Sequence, residues 1–273
     1  MIKIVKLLKN NRNWQIFILS TILICAIFPD VIFFGTSLRL TDQIYGDFYG
    51  LATHHLYAIP AHSEWWGWYN DSGGAVFQSE PMINFIHNCI KNWQSPFWNP
   101  YSGAGALGPE TLVDEKFSFF IMLNAILGGG SLAYNITLIL LWFFAVFFLM
   151  KISVEQLNFS LIAATTMSIF YILNGYSISN MGSNITYSYV YIPICLYVSF
   201  RLANKITIMR IVAVILSYAI FFTCTFIPTT IMSFVTMFFL FVSYSWYRSR
   251  HINCINRKQF LILILYFIFA IYK

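Results

Sequence analysis

The run SLAYNITLILLWFFAVFFLMK, from Ser131 to Lys151, decides the fold class. A bilayer-spanning helix needs about 20 mostly apolar residues, and this stretch supplies that length with no charge before Lys151. Comparable runs fall near 14–35, 159–176, 184–203, 208–227 and 229–247, and a last one begins at 259. Composition agrees. The chain is 59% hydrophobic and 10% charged, with a mean hydropathy of +0.68, far from the mix of a soluble domain. The expected fold is an all-α polytopic membrane protein with about seven transmembrane helices.

Lys3, Lys6, Lys9 and Arg12 precede the apolar run Ile16 to Phe28, as in a secretory signal. The run continues past Pro29 and Asp30, however, and no small-x-small cleavage site follows, so it reads as a retained anchor. The Phe260 to Tyr272 run is too short to span, and the chain is expected to be the N-terminal part of a longer protein.

Basic residues near span ends stay cytoplasmic. Lys3 to Arg12, Lys151, Arg201/Lys205/Arg210 and Arg248/Arg250/Arg257/Lys258 all fall on one side with these spans. The N-terminus is therefore expected in the cytoplasm. A full crossing by the short apolar segment Phe117 to Leu127 would move Lys151 outside, so that segment is expected to be re-entrant or interfacial.

Three regions follow: 1–35, the cytoplasmic N-terminus and first helix; 36–130, an extracytoplasmic loop; and 131–273, a helix bundle. Residues 36–115 hold eight of the ten acidic residues: Asp42, Asp47, Glu64, Asp71, Glu80, Glu110, Asp114 and Glu115. The net charge of +6 thus belongs to the cytoplasmic side, with no nucleic-acid partner implied. Cys89 is the only cysteine in the loop, so the loop closes no disulfide of its own.

Within the loop, Ser79-Glu80-Pro81 is a helix-start signal. Met82, Phe85, Ile86, Ile90 and Trp93 then recur at helical spacing, giving a face suited to the membrane surface, with His87, Asn88 and Lys91 toward water. Pro96-Phe-Trp-Asn-Pro-Tyr-Ser-Gly-Ala-Gly105 follows, where two prolines and two glycines favour consecutive turns bearing aromatic rings. Gly103-Ala-Gly105-Ala-Leu-Gly108 matches the dinucleotide pattern only literally, because a Pro-rich turn precedes it and Pro109 follows. His54, His55, His62 and Glu64 match no metal-ligand spacing. Trp65, Trp66, Trp68 and Trp93 suit an interfacial belt.

The order of anchor, Gly46-Asp47, amphipathic helix, Pro96-Phe97-Trp98-Asn99-Pro100-Tyr101-Ser102-Gly103-Ala104-Gly105 and hydrophobic hairpins carrying Tyr191-Ile192-Pro193 resembles the YfhO-type bacterial membrane proteins. The resemblance covers roughly residues 14–205, and the Trp-Asn-Pro-Tyr stretch is its specific part. It implies a GT-C-like fold with a large first extracytoplasmic loop, in the bacterial cytoplasmic (inner) membrane. It also implies transfer of a sugar from a polyprenyl-phosphate donor to a cell-surface glycan acceptor, a polymer or glycolipid, on the outer face. By position, Asp47 matches the carboxylate that such enzymes carry near the end of the first span. Glu110, Asp114 and Glu115 depart from the uncharged segment expected after the glycines.

Inverting transfer needs a carboxylate to take the acceptor's proton, and a cation or divalent metal ion to steady the departing phosphate. Asp47 is the candidate base and Asp42 its reserve, with Arg39, His87 and Lys91 as phosphate partners. Trp98, Asn99 and Tyr101 form the substrate-contacting turn, the two rings stacking on sugar or prenyl groups. Asp30 marks the interface or, alternatively, faces the cavity as an acid. The competing class is a non-catalytic lipid or polysaccharide translocation component, which should carry polar residues inside its spans.

Overall fold

A computed structural model describes residues 11–39, 80–98, 118–179, 185–223 and 227–251. Among these residues all regular structure is helical. The helices are α1 (Arg12–Ile27), α2 (Pro29–Phe34), α3 (Glu80–Lys91), α4 (Phe119–Ile126) and α5 (Ser131–Lys151), followed by a π turn, Ile152–Gln156. Then come α6 (Leu161–Ile172), α7 (Gly175–Ser179), α8 (Ile185–Asn204), α9 (Ile208–Phe222) and α10 (Ile227–His251). Two segments, Ser131–Gln156 and Thr230–Arg248, are long and apolar enough to cross a membrane, while α1, α6 and α9 are shorter apolar helices. The run expected from 259 lies outside the described residues.

Element ends follow local chemistry. The apolar run over 14–35 breaks at Phe28, because Pro29 lacks the amide that would continue α1 and instead occupies the first turn of α2. Gly35, at φ 69°, ends α2 in the left-handed conformation that glycine adopts without strain. Ser118, Ser160 and Thr207 cap α4, α6 and α9 by accepting bonds from Ile121, Ala163 and Arg210 amides.

Two helices organise the bundle. α5 packs against α1, α4, α6 and α8, and α8 in turn packs against α9 and α10. Trp142, Tyr134, Leu138 and Ala145 are buried on α5, while Leu132, Ile136, Leu140 and Phe144 form an exposed stripe at four-residue spacing. An exposed apolar stripe suits lipid better than water. In lipid the hydrophobic effect does not drive helices together, so close van der Waals packing must. Small residues at the contacts permit it: Ser20, Ala145, Ser153, Ala164, Ser168 and Ala203 are all fully buried. Ser20 on α1 reaches Met150 Sδ on α5 at 3.4 Å.

Buried hydroxyls are satisfied largely within their own helices. Thr137 donates to the Ala133 carbonyl (2.7 Å), Ser168 to Ala164 (2.9 Å) and Ser199 to Cys195 (2.7 Å). Pro193, inside α8, creates a different need. Its missing amide frees the carbonyl of Tyr189, four residues earlier. The Tyr171 hydroxyl of α6 donates to that carbonyl at 2.6 Å, and the Tyr171 and Tyr189 rings stack at 4.4 Å. A proline kink is thereby converted into an interhelical contact.

At the bundle end carrying Lys151, side chains knot three helices together. Lys151 pairs with Glu155 at 3.1 Å, and Tyr197 donates to the same carboxylate at 2.9 Å. Gln156 Oε1 accepts from Asn204 Nδ2 (2.5 Å) and from the Tyr244 hydroxyl (3.1 Å).

Candidate functional site

At the other end of α5, four segments meet: residues 36–39, α3, α4 and the start of α5. Asn135 organises the first of them. Its side-chain amide donates to the Thr36 carbonyl at 2.7 Å, and its carbonyl oxygen accepts from the Leu38 amide at 2.8 Å. One buried side chain thus binds the extended backbone in both directions, as a neighbouring strand would.

Immediately after this clamp, Arg39 Nε donates to Glu80 Oε2 at 2.8 Å. The Glu80 side chain is 1% exposed and that of Arg39 16% exposed. Two charges withdrawn from water are tolerable because each satisfies the other, and removing one partner would strand the second at a cost of about 3–5 kcal/mol. The pair therefore fastens the chain after α2 to the first turn of α3.

α3 lies on α4. Ile83, Ile86 and Cys89 form its buried face together with Glu80, while Met82 and Phe85 are half-buried. Trp93 is 98% exposed and Ile90 is exposed, so both lie outside the face that packs on α4. The reason is local: α3 is turned by its contact with α4 and by the Glu80 pair, and Trp93 lies beyond the helix end. His87 Nδ1 meets the Ala125 carbonyl at 2.9 Å, a contact that requires the proton on Nδ1. Gly129, at φ 69°, closes the turn from α4 to α5, and a β-carbon there would meet Ile83 at 3.3 Å. Burial pushes the Cys89 thiol up from its ordinary value, leaving it protonated and unreactive at neutral pH.

The end of α3 is unusual. Gln94 N donates to the Cys89 carbonyl (2.8 Å) and Trp93 N to Ile90 (3.3 Å), the paired bonds of a Schellman cap. That cap puts Trp93 at φ 54°, a position where glycine is usual. A large indole is held out from the surface in a strained backbone conformation.

Beneath α3, Phe120 of α4 packs at 4.1 Å from the Tyr187 ring and 5.3 Å from Tyr134. Asn124 is fully buried, and neither atom of its amide has a partner among the described residues.

The residues expected to act are distributed as follows. Arg39 is engaged by Glu80. His87 and Lys91 stand one turn apart on α3, the first half-buried and the second exposed. Trp98 is 46% exposed, at the end of its described segment. Asp42, Asp47, Asn99 and Tyr101 lie outside the described residues, as do His54, His55, His62, Glu64, Trp65, Trp66 and Trp68. Asp30 sits in the first turn of α2, where a carboxylate favours the helix dipole. Asn174 binds the Tyr171 carbonyl, Ser177 and Tyr189, the pattern of a capped interhelical turn. Among the described residues no group of three or more His, Cys, Asp or Glu could hold a metal ion.

No protein-family model, curated protein or solved structure matches the chain.

Sequence reasoning took Glu80 as a helix-start residue and passed over Asn135. The signals were present: an acid in an otherwise apolar-faced helix, and a lone amide inside a spanning run. Their partners, 41 and 97 residues away in sequence, could not be read from spacing.

Proposed function

We propose that this chain is a membrane glycosyltransferase-like protein of the bacterial inner membrane, with its N-terminus in the cytoplasm. It moves a sugar from a polyprenyl-phosphate donor to a cell-surface polymer or glycolipid on the outer face. The observation that carries this reading is the buried Arg39–Glu80 pair. It ties the chain three residues before Asp42 to the helix that leads to Trp98-Asn99-Pro100-Tyr101. Asp42 follows Arg39 by three residues in sequence and Asp47 by eight.

In the proposed reaction Asp47 takes the proton of the acceptor hydroxyl, with Asp42 in reserve. The acceptor oxygen bonds to the anomeric carbon as the bond from that carbon to the phosphate oxygen breaks. The polyprenyl phosphate leaves with the electron pair. Since Arg39 is neutralised by Glu80, the phosphate contacts pass to Lys91 and His87, which share one face of α3. His87 holds its Nδ1 proton toward Ala125 and stands one turn from Lys91. Trp98 and Tyr101 stack on sugar or prenyl groups.

The hydroxyls inside α5, α6 and α8 support this reading over translocation. Thr137 and Ser168 donate to carbonyls of their own helices, and Ser199 does so while also meeting the Tyr218 hydroxyl of α9 at 3.2 Å, so these groups are committed to packing.

The test is transfer from labelled polyprenyl-phosphate sugars by the purified chain, wild type against Asp47→Asn. Loss of a general base should slow transfer by about 10²–10⁴-fold. Unchanged transfer in Asp47→Asn removes Asp47 as the base. No transfer from any donor by the wild type moves the protein to the binding class.

A further inference from the structure

The opposite end of the bundle carries a guanidinium, that of Arg248, whose buried Nε has no acceptor among the described residues. Arg248 lies one turn beyond Tyr244 on α10, and four residues of helix rise about 6 Å. Tyr244 is buried and bonded to both Gln156 Oε1 and Asn204 Oδ1, each at 3.1 Å. Arg248 therefore stands one turn past the knot that joins α5, α8 and α10. A buried guanidinium N–H without an acceptor is strongly unfavourable in a protein interior.

Several neighbouring acceptors are engaged within the knot. Gln156 Oε1 receives from Asn204, and the one Tyr244 hydroxyl proton is shared between Gln156 Oε1 and Asn204 Oδ1. Glu155 receives from Lys151 and Tyr197. The terminal carbonyls of Arg201 and Lys205 receive from Arg210, at 2.6 and 3.0 Å. Glu155 is the single acid among the described residues at this end, against Lys151, Arg201, Lys205, Arg210 and Arg248. Arg201 and Lys205 are exposed, and the Arg201 guanidinium lies 5.7 Å from the Tyr197 ring. The π turn over Ile152–Gln156 re-aims Glu155 and Gln156 into this knot, and such turns recur at functional positions.

We infer that the ends of α5, α8 and α10 form a phosphate-binding site, with Arg248 as the central ligand and Arg201 and Lys205 on its rim. A guanidinium fork matches phosphate oxygens in geometry and charge. Two sources share that chemistry: the headgroup of an anionic phospholipid in the adjoining leaflet, and free phosphate or a phosphorylated metabolite.

The experiment is native mass spectrometry and thermal unfolding of the purified full chain. Phosphatidylglycerol, phosphatidylcholine and inorganic phosphate are added in separate arms. The wild type should retain phosphatidylglycerol about tenfold or more over phosphatidylcholine, and Arg248→Gln should abolish the preference. Stabilisation by inorganic phosphate, with displacement of the lipid, assigns the site to soluble phosphates. Retention of the lipid against inorganic phosphate assigns it to the headgroup. Arg248→Lys keeps the charge and stem without the fork and serves where Arg248→Gln does not fold. It should weaken retention several-fold, and Arg201→Gln combined with Lys205→Gln should do likewise. Wild-type protein without preference for phosphatidylglycerol and without response to phosphate overturns the site. So does full retention in Arg248→Gln or Arg248→Lys.

Discussion

Trp93 shows how one residue can stand against local preference. A non-glycine residue in the left-handed region pays a steric penalty, and an indole that is 98% exposed recovers none of it by packing within the chain. Trp93→Gly should therefore stabilise the protein by about 0.5–1 kcal/mol in mixed-micelle unfolding, the relief of strain outweighing glycine's larger unfolded-state entropy. A loss of stability in lipid, absent in detergent, would show that the ring has an external contact that offsets its strain. The sequence marks Trp93 as an interfacial aromatic but not as strained, since the two cap bonds depend on where α3 stops. The same holds for Arg39. Its charge is visible in the sequence as a phosphate partner, whereas its pairing with Glu80 is fixed only when α3 docks on α4.

Among the helices, Pro193 and Tyr171 form a testable unit. Replacing Tyr171 by Phe leaves the freed Tyr189 carbonyl without its donor, where no water can substitute, at a cost of about 1–3 kcal/mol. In a Pro193→Ala background the helix supplies its own amide, and Tyr171→Phe should cost less than about 1 kcal/mol. A double-mutant cycle measures the difference, and additive effects would dissolve the link. Element positions were largely legible, because runs of apolar residues set them: α5, α8 and α10 fall within a few residues of the expected segments. The α1–α2 break was not expected although Pro29 announces it, since Val31 to Phe34 continues the hydrophobic run. The face of α3 that packs on α4, Ile83, Ile86 and Cys89, was not legible in the sequence, because only the fold brings α4 against it.

For the whole molecule, the helical architecture of the described residues followed from composition and run length, while the proposed sidedness rests on basic residues. Reporter fusions at Asn70 and Lys151 should report opposite compartments, with Lys151 cytoplasmic; agreement between the two would overturn the topology. The candidate site was legible only as residue types. Its organising contacts, Asn135 to the 36–38 backbone and Arg39 to Glu80, join segments far apart in sequence, and no periodicity carries such information. That clasp has an architectural corollary. Arg39 and Glu80 are held at 2.8 Å although 41 residues apart in sequence, so the pair closes a long loop whose closure cost rises only slowly with its length. Doubling such a loop adds only about 0.6 kcal/mol of closure entropy. Lengthening the chain between Arg39 and Glu80 should therefore cost little stability, which unfolding of a variant carrying an insert there would measure.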